Sequence, residues 1–520
     1  MIPVQMTKML PQNKLKQRLT LLICILLLLV VSPTVVLADT SASYLKPYLK
    51  TISQKVSEFE LSNGMKFVVL ENHQAPVVSF VTYANVGGVD EPDGQTGVAH
   101  FLEHLAFKGT ETIGTSDYAA ESALLQKLNG IFEQIKENQK VNNSAEVSRL
   151  QQEFKQVQQA AQKYVKVNQF GQIVEKSGGE DLNAQTTADA TIYHYSFPSN
   201  KLELWMALES DRFKDPVFRE FFKEKEVILE ERRMRTENSP IGQLLEAFLD
   251  SSFTIHPYKR PVIGYTKDLK VVSPDNVSEF FKRYYTPSNL TVAIVGDVDP
   301  LKVKKLAQEY FGGYKSQSPP PPVRVIEPKQ TQTKEVNLTL KSQPWYLEGY
   351  HVPALSDPDN AIYDVINTLL SQGRTSRLYK SLIEDKQLAI VAEGGSGFPG
   401  DRYPNLMIFY ALSTPGSSLD KVSKALENEL ERLKNEPVSK QELDRAKNIL
   451  IVDIFNTLES NLGMAKDLAQ YQAKTGSWRN LFKQLESIEK VTPADIERVA
   501  RKTFTVENRT IGRILTQANQ

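Results

Sequence analysis

The sequence predicts an α+β fold made of two similar domains, and three observations carry that expectation. At 520 residues the chain exceeds what a single core usually holds. A unit of capped helix, short loop and strand occurs twice, at an offset of 219 residues (Thr291 to Thr510). A polar stretch over residues 314–333, with four consecutive prolines at 319–322, separates the two copies as a semi-rigid linker.

From the N-terminus, Lys8, Lys14, Lys16 and Arg18 precede an apolar run over residues 19–31, and Val36-Leu37-Ala38 follows. Basic region, apolar run and small residues at −3 and −1 predict a signal peptide over residues 1–38, hence an exported chain, periplasmic or secreted. If the signal is not cleaved, residues 19–38 are nearly long enough to anchor the chain in a membrane. The only cysteine, Cys24, lies inside this run, so the mature chain has no thiol for disulfides, catalysis or ligation. Lysine plus arginine balances aspartate plus glutamate at 62 each, which points away from nucleic acid and anionic surfaces.

Residues 56–61, 65–70 and 77–86 then read as strands, with Ser62-Asn63-Gly64 as the hairpin turn between the first two. Gly87-Gly88 leads toward a helix containing His100-Phe101-Leu102-Glu103-His104. Residues 132–169 are rich in glutamine and charge, with Ile135, Val147, Leu150, Phe154, Val157 and Tyr164 at intervals, and read as a solvated helical hairpin inserted into the first domain. Ser273-Pro274 opens a capped helix that leads to a strand over residues 291–295. Thr492-Pro493 opens its counterpart, and Tyr285/Phe504 and Asn289/Asn508 coincide at the same offset. The domains expected are therefore 53–313 and 334–520.

The histidine motif holds the chemistry. On a helix, positions i, i+3 and i+4 share a face, so His100, Glu103 and His104 project toward one point. Two imidazoles begin a zinc site, and a carboxylate beside them is placed to deprotonate a metal-activated water. The neighbours Val98, Ala99, Phe101, Leu102, Leu105, Ala106 and Phe107 are apolar, so the helix is expected to be buried, where unsatisfied imidazoles are costly.

A catalytic zinc usually takes three protein ligands. In residues 221–232, Phe221, Glu224, Val227, Ile228 and Glu231 fall on one helical face, with Lys223, Glu226, Glu230 and Arg233 opposite. Glu224 and Glu231 thus stand on the face expected to be buried. One is expected to bind zinc and the other to accept a hydrogen bond from a ligating histidine, and helical geometry alone leaves the order open.

The stretches GVAHFLEHLAFKGT, Glu224 to Glu231, His256-Pro257-Tyr258, Ile263-Gly264 and YYTPSNLTVAIVGD resemble the inverzincin peptidases, the family of pitrilysin, insulysin and the mitochondrial processing peptidase. The resemblance covers about residues 53–520 outside the insertion and is strongest to the processing-peptidase-like branch. It implies two homologous domains, each a largely antiparallel sheet packed with helices, facing each other as a clamshell, with metal only in the first. It implies one Zn²⁺ per chain held by His100, His104 and Glu231, Glu224 orienting a histidine, and Glu103 as general base of a zinc endopeptidase. Asn183 and Ala184 match the edge strand on which the family lays its peptide substrate.

Two departures stand out. The interval between the histidine motif and Glu224 is much longer than in active relatives, chiefly through the 132–169 insertion. Many relatives also carry an arginine and a tyrosine seven residues apart in the second domain, and Ile383 and Ile390 occupy those places here. The resemblance therefore allows three readings: a peptidase acting alone or as a homodimer, a catalytic subunit that needs a metal-free homologous partner, and a non-proteolytic scaffold of the same fold. The intact histidine motif and glutamate pair argue against the last.

Overall fold

A computed structural model describes residues 49–517. The expected signal peptide, its alternative as an anchor, and Cys24 lie outside the described residues. Among the described residues no helix is long and apolar enough to cross a membrane.

Among the described residues eleven strands form two mixed sheets. The first contains β1 (Val56–Glu60), β2 (Lys66–Glu71), β3 (Val77–Ala84), β4 (Glu180–Thr186), β5 (Thr191–Pro198) and β6 (Leu290–Gly296), in the order β1-β2-β6-β3-β5-β4. The second contains β7 (Lys334–Leu340), β8 (Trp345–Val352), β9 (Ala389–Phe398), β10 (Asn405–Ser413) and β11 (Arg509–Thr516), in the order β7-β11-β8-β10-β9. With β1 set aside, the two orders superimpose strand for strand. In each sheet the last strand runs parallel to the first of the repeat and antiparallel to the second. The expected strands are all present, with ends shifted by one or two residues.

The repeat extends to single hydrogen bonds. Ser273 and Thr492 each form a capping box, with Asn276 and Asp495 respectively. Asn289 Nδ2 donates to the carbonyls of Tyr284 and Asn85, and Asn508 Nδ2 donates to those of Thr503 and His351. Both asparagines thus tie a helix end to the end of a neighbouring strand, β3 or β8.

The centre of the first sheet is covered on both faces, which explains why β6 is buried along its whole length and reads as a continuous apolar run. Helices of the first half, including Leu202–Lys214, Pro274–Tyr284 and Pro300–Phe311, supply Trp205, Phe280 and Phe311 to a core shared with Phe67, Phe80 and Ile294. The opposite face of β3 and β6 is covered by helix Asn461–Thr475, from the second half of the chain. Reciprocally, helix Pro240–Ser252 of the first half lies on β7 and β11. Phe248 of that helix rests where Gly349 and Gly512 leave the sheet flat; a Cβ at Gly349 would come within 2.8 Å of its ring.

The insertion is a helical hairpin, Tyr118–Lys140 and Ser144–Gln162. It starts earlier than the composition suggested, because Asp117 caps the first helix by accepting from the Ala120 N–H. It is also less solvated than expected. Leu128, Ile131, Ile135, Leu150 and Val157 form a small core of their own, and Phe222 packs against it. Residues 315–331 carry no helix or strand, and Glu327 in this segment accepts the N–H groups of Thr254, Ile255 and His256.

Candidate metal centre

The histidine motif occupies helix Val98–Leu105. Gly97 opens it at φ +88, where an added Cβ would stand 2.6 Å from the Ile263 carbonyl oxygen, so only glycine fits. The free N–H groups of the first turn are satisfied by Glu91, which accepts from Gly97 at 2.8 Å and from Ala99 at 2.9 Å. Burial pushes the Glu91 carboxyl up to about 8 in spite of these bonds. Val98, Phe101, Leu102 and Leu105 enter the core, so packing fixes the orientation of the helix.

The second helix, Phe221–Arg232, stacks Phe221 on Phe101 with centroids 4.5 Å apart, and this contact brings the two polar faces together. Glu224 and Ile228 are buried and Lys223, Glu226 and Glu230 exposed, as the helical wheel predicts. Val227 departs from that expectation and is 45% exposed, since it sits at the margin of the buried arc.

His100, His104 and Glu231 converge, with one ligand atom from each lying within 4.8 Å of the others. Glu231 Oε2 is 3.8 Å from His100 Nε2 and 3.5 Å from His104 Nε2. Glu224 instead reaches the other nitrogen of His104, Nδ1, at 3.3 Å. The donor set suits Zn²⁺, since a tetrahedral ion with bonds of about 2.0–2.1 Å separates its ligand atoms by roughly 3.4 Å. Burial, followed by the nearby His104 and Arg235, pushes the His100 imidazole down to about 3, so its ring is neutral at pH 7, the form that ligates.

The surroundings fix these groups. Lys108 Nζ donates to Glu224 at 2.5 Å. Burial alone would raise the Glu224 carboxyl, but the bonds from His104 and Lys108 outweigh it and hold the group below its ordinary value. Arg235, 72% exposed on a π-helical turn, pairs with Glu231 Oε1 at 2.8 Å and leaves Oε2 toward the histidines. Glu103 accepts from the Thr186 hydroxyl at 2.5 Å, and burial raises its carboxyl above the usual range.

The chain matches the family model "Insulinase (Peptidase family M16)" over residues 66–151 and 157–266, and the model "Peptidase M16 inactive domain" over 272–450. The chain belongs to peptidase family M16. It is 28% identical over 452 residues to the zinc protease PqqE of Helicobacter pylori, covering 85% of this chain and 89% of that protein. It is 25% identical over 460 residues to a protein of Mycobacterium leprae named as an uncharacterized zinc protease, covering 86% and 89%. Among solved structures, a protease from Helicobacter pylori superimposes with a TM-score of 0.75 at 26% identity, over 89% of this chain and 99% of that one. An M16 inactive-domain protein from Pseudomonas fluorescens shares the fold at a TM-score of 0.70 and 16% identity, over 89% and 98%. Relatives of this M16 chain thus carry the name zinc protease, and its fold is that of the family.

The remaining residues singled out from the sequence lie as follows. Asn183 and Ala184 sit in β4, the edge of the first sheet, where the Asn183 side chain accepts the Ala184 N–H at 2.9 Å. Ile383 is half-buried in a π-helical turn, and Ile390 is 51% exposed on β9, the edge of the second sheet. Sequence reasoning missed Glu91 and Thr186, for which no local pattern exists, and Arg235, which the i+4 spacing from Glu231 could have found. Lys108 was within reach, because it continues the row of His100 and His104 at i+4.

Proposed function

We propose that this protein is an exported zinc endopeptidase that cuts peptides or unfolded segments. The observation that carries the reading is the convergence of His100 Nε2, His104 Nε2 and Glu231 Oε2, with the carboxylate of Glu103, held by Thr186, on the same helix as the two histidines. His100, His104 and Glu231 would hold one Zn²⁺. Bound there, the ion would supply Lewis acidity toward the scissile carbonyl and lower the pKa of water. Glu103 accepts a proton from the attacking water and passes it to the leaving amine, so that water adds across the C–N bond and two chain ends result. Glu224 keeps the His104 ring oriented by accepting from Nδ1. An extended peptide adds to the edge of β4 beside Asn183 and Ala184, and backbone pairing there is indifferent to most side chains. The names of the relatives and the periplasmic protease PqqL of Escherichia coli, which shares the fold at a TM-score of 0.65 and 18% identity, support the peptidase reading and its exported setting.

The test is zinc content and cleavage of a mixed peptide library by the purified protein and by Glu103→Gln. The variant is expected to keep its zinc and lose turnover; equal cleavage by both refutes the mechanism. A second reading, a catalytic subunit completed by a metal-free homologue, is favoured by Ile383 and the exposed Ile390 on β9. Zinc-loaded protein that cleaves only after such a homologue is added would select it.

A further inference from the structure

β4 is both the edge of the first sheet and a neighbour of the motif helix. From Asp181 side chains alternate along it: Asp181, Asn183 and Gln185 are exposed, while Leu182, Ala184 and Thr186 turn inward and are half-buried. Leu182 and Ala184 pack on the core, and Thr186, next on that face, meets Glu103 instead. Its hydroxyl donates to Glu103 Oε2 at 2.5 Å, and its backbone N–H faces the same carboxylate.

Thr186 is itself held in place. It pairs with Thr191 across β4 and β5. The following turn is closed by Thr187 N–H to the Ala190 carbonyl and by the Thr187 hydroxyl accepting from Asp189 and Ala190. Asp189 is then locked by Lys474 Nζ at 3.0 Å, the Tyr258 hydroxyl at 2.5 Å and the N–H groups of Asp401 and Arg402. The donor that meets Glu103 therefore stands on a braced strand end and not on a free loop tip. A carboxylate on a helix has several rotamers, and two donors from one fixed residue select one of them.

We propose that Thr186 is a positioning residue that sets the Glu103 carboxylate for proton transfer, so that the strand receiving the substrate also aims the group that works on it. The inference rests on the function proposed above. No other element is needed to register the peptide against the base, because both contacts lie on β4.

The test compares Thr186→Val, which keeps the branched shape and loses the donor, with Thr186→Ser, which keeps the donor. For Thr186→Val we expect kcat to fall roughly 10- to 100-fold, the scale of a misplaced catalytic group, with KM, zinc affinity and Tm close to wild type. Thr186→Ser should recover most of the loss. A fall in zinc affinity and Tm together, or a change confined to KM, overturns the proposal in favour of a structural or substrate-binding role. So does full activity in Thr186→Val. Crystal structures of the metal-free wild type and Thr186→Val give a readout that needs no turnover: the Glu103 carboxylate should face residue 186 only in wild type, and an unchanged position in the variant overturns the inference. Wild-type protein that binds no zinc refutes the proposed function itself, which separates the two failures.

Discussion

Removing the two glutamates of helix Phe221–Arg232 one at a time should weaken zinc binding by very different amounts. Glu231 places one oxygen between both histidine Nε2 atoms, at 3.8 and 3.5 Å, whereas Glu224 touches only the Nδ1 side of His104. Glu224 therefore acts on the metal through the orientation and basicity of one ring. The loss of such an outer partner typically costs about 10- to 100-fold in metal affinity, or roughly 1.4–2.8 kcal/mol. The structure brackets the same figure independently, because the bond from His104 is a single one to a charged acceptor, a class worth about 1.5–3 kcal/mol. Lys108 is not stranded by the change, since Glu220 lies 3.4 Å away. Glu224→Gln keeps an acceptor and should fall at the lower end, Glu224→Ala at the upper. Glu231→Gln removes a ligand and should lose more than either. Competition with a chromogenic zinc chelator at fixed pH measures all three. Equal losses, or a greater loss at Glu224, would refute the assignment of ligand and orienting residue.

Two further outcomes follow from buried charges remote from the metal. Burial pushes Asp364 up to about 6 from 3.8, although Gln484 donates to it at 2.6 Å. A raised carboxyl favours folding fully below the unfolded value of 3.8, and that contribution is lost as pH rises through 6, a difference of about 3 kcal/mol. Asp364→Asn should therefore raise Tm at pH 7.5 and leave it unchanged near pH 4, as thermal melts at the two pH values will show. Lys474 pairs with Asp189 at 3.0 Å and also with Asp401. Lys474→Met leaves two mostly buried carboxylates without that cation and should cost about 3–5 kcal/mol in urea unfolding.

The parts of the site that lie within one helix were legible in the sequence. The spacing of His100, Glu103 and His104, and the shared face of Glu224 and Glu231, follow from helical geometry, and the structure brings His100, His104 and Glu231 together with Glu224 against His104. The repeat was legible because capping and strand-entry residues such as Asn289 and Asn508 have local, chemically specific partners. What escaped was set by contacts distant in sequence. Thr186 reaches Glu103 across 83 positions, and nothing near either residue announces the bond. Val227 shows the limit of the helical wheel itself: an arc predicts burial at its centre, while exposure at its margin depends on the neighbour that packs there.

The exchange of helices between the two halves bears on why a half without a histidine motif is kept. β3 and β6, at the centre of the first sheet, are covered on one face by helix Asn461–Thr475, whose Met464, Ala465 and Leu468 are buried. The first half alone would leave that face in water, and the second alone would lack the cover that Leu244 and Phe248 provide. Each copy of the repeat is thus a folding cofactor for the other. What ties the second copy to the first is the shape of a core that neither copy closes by itself, whether or not a copy carries a histidine motif.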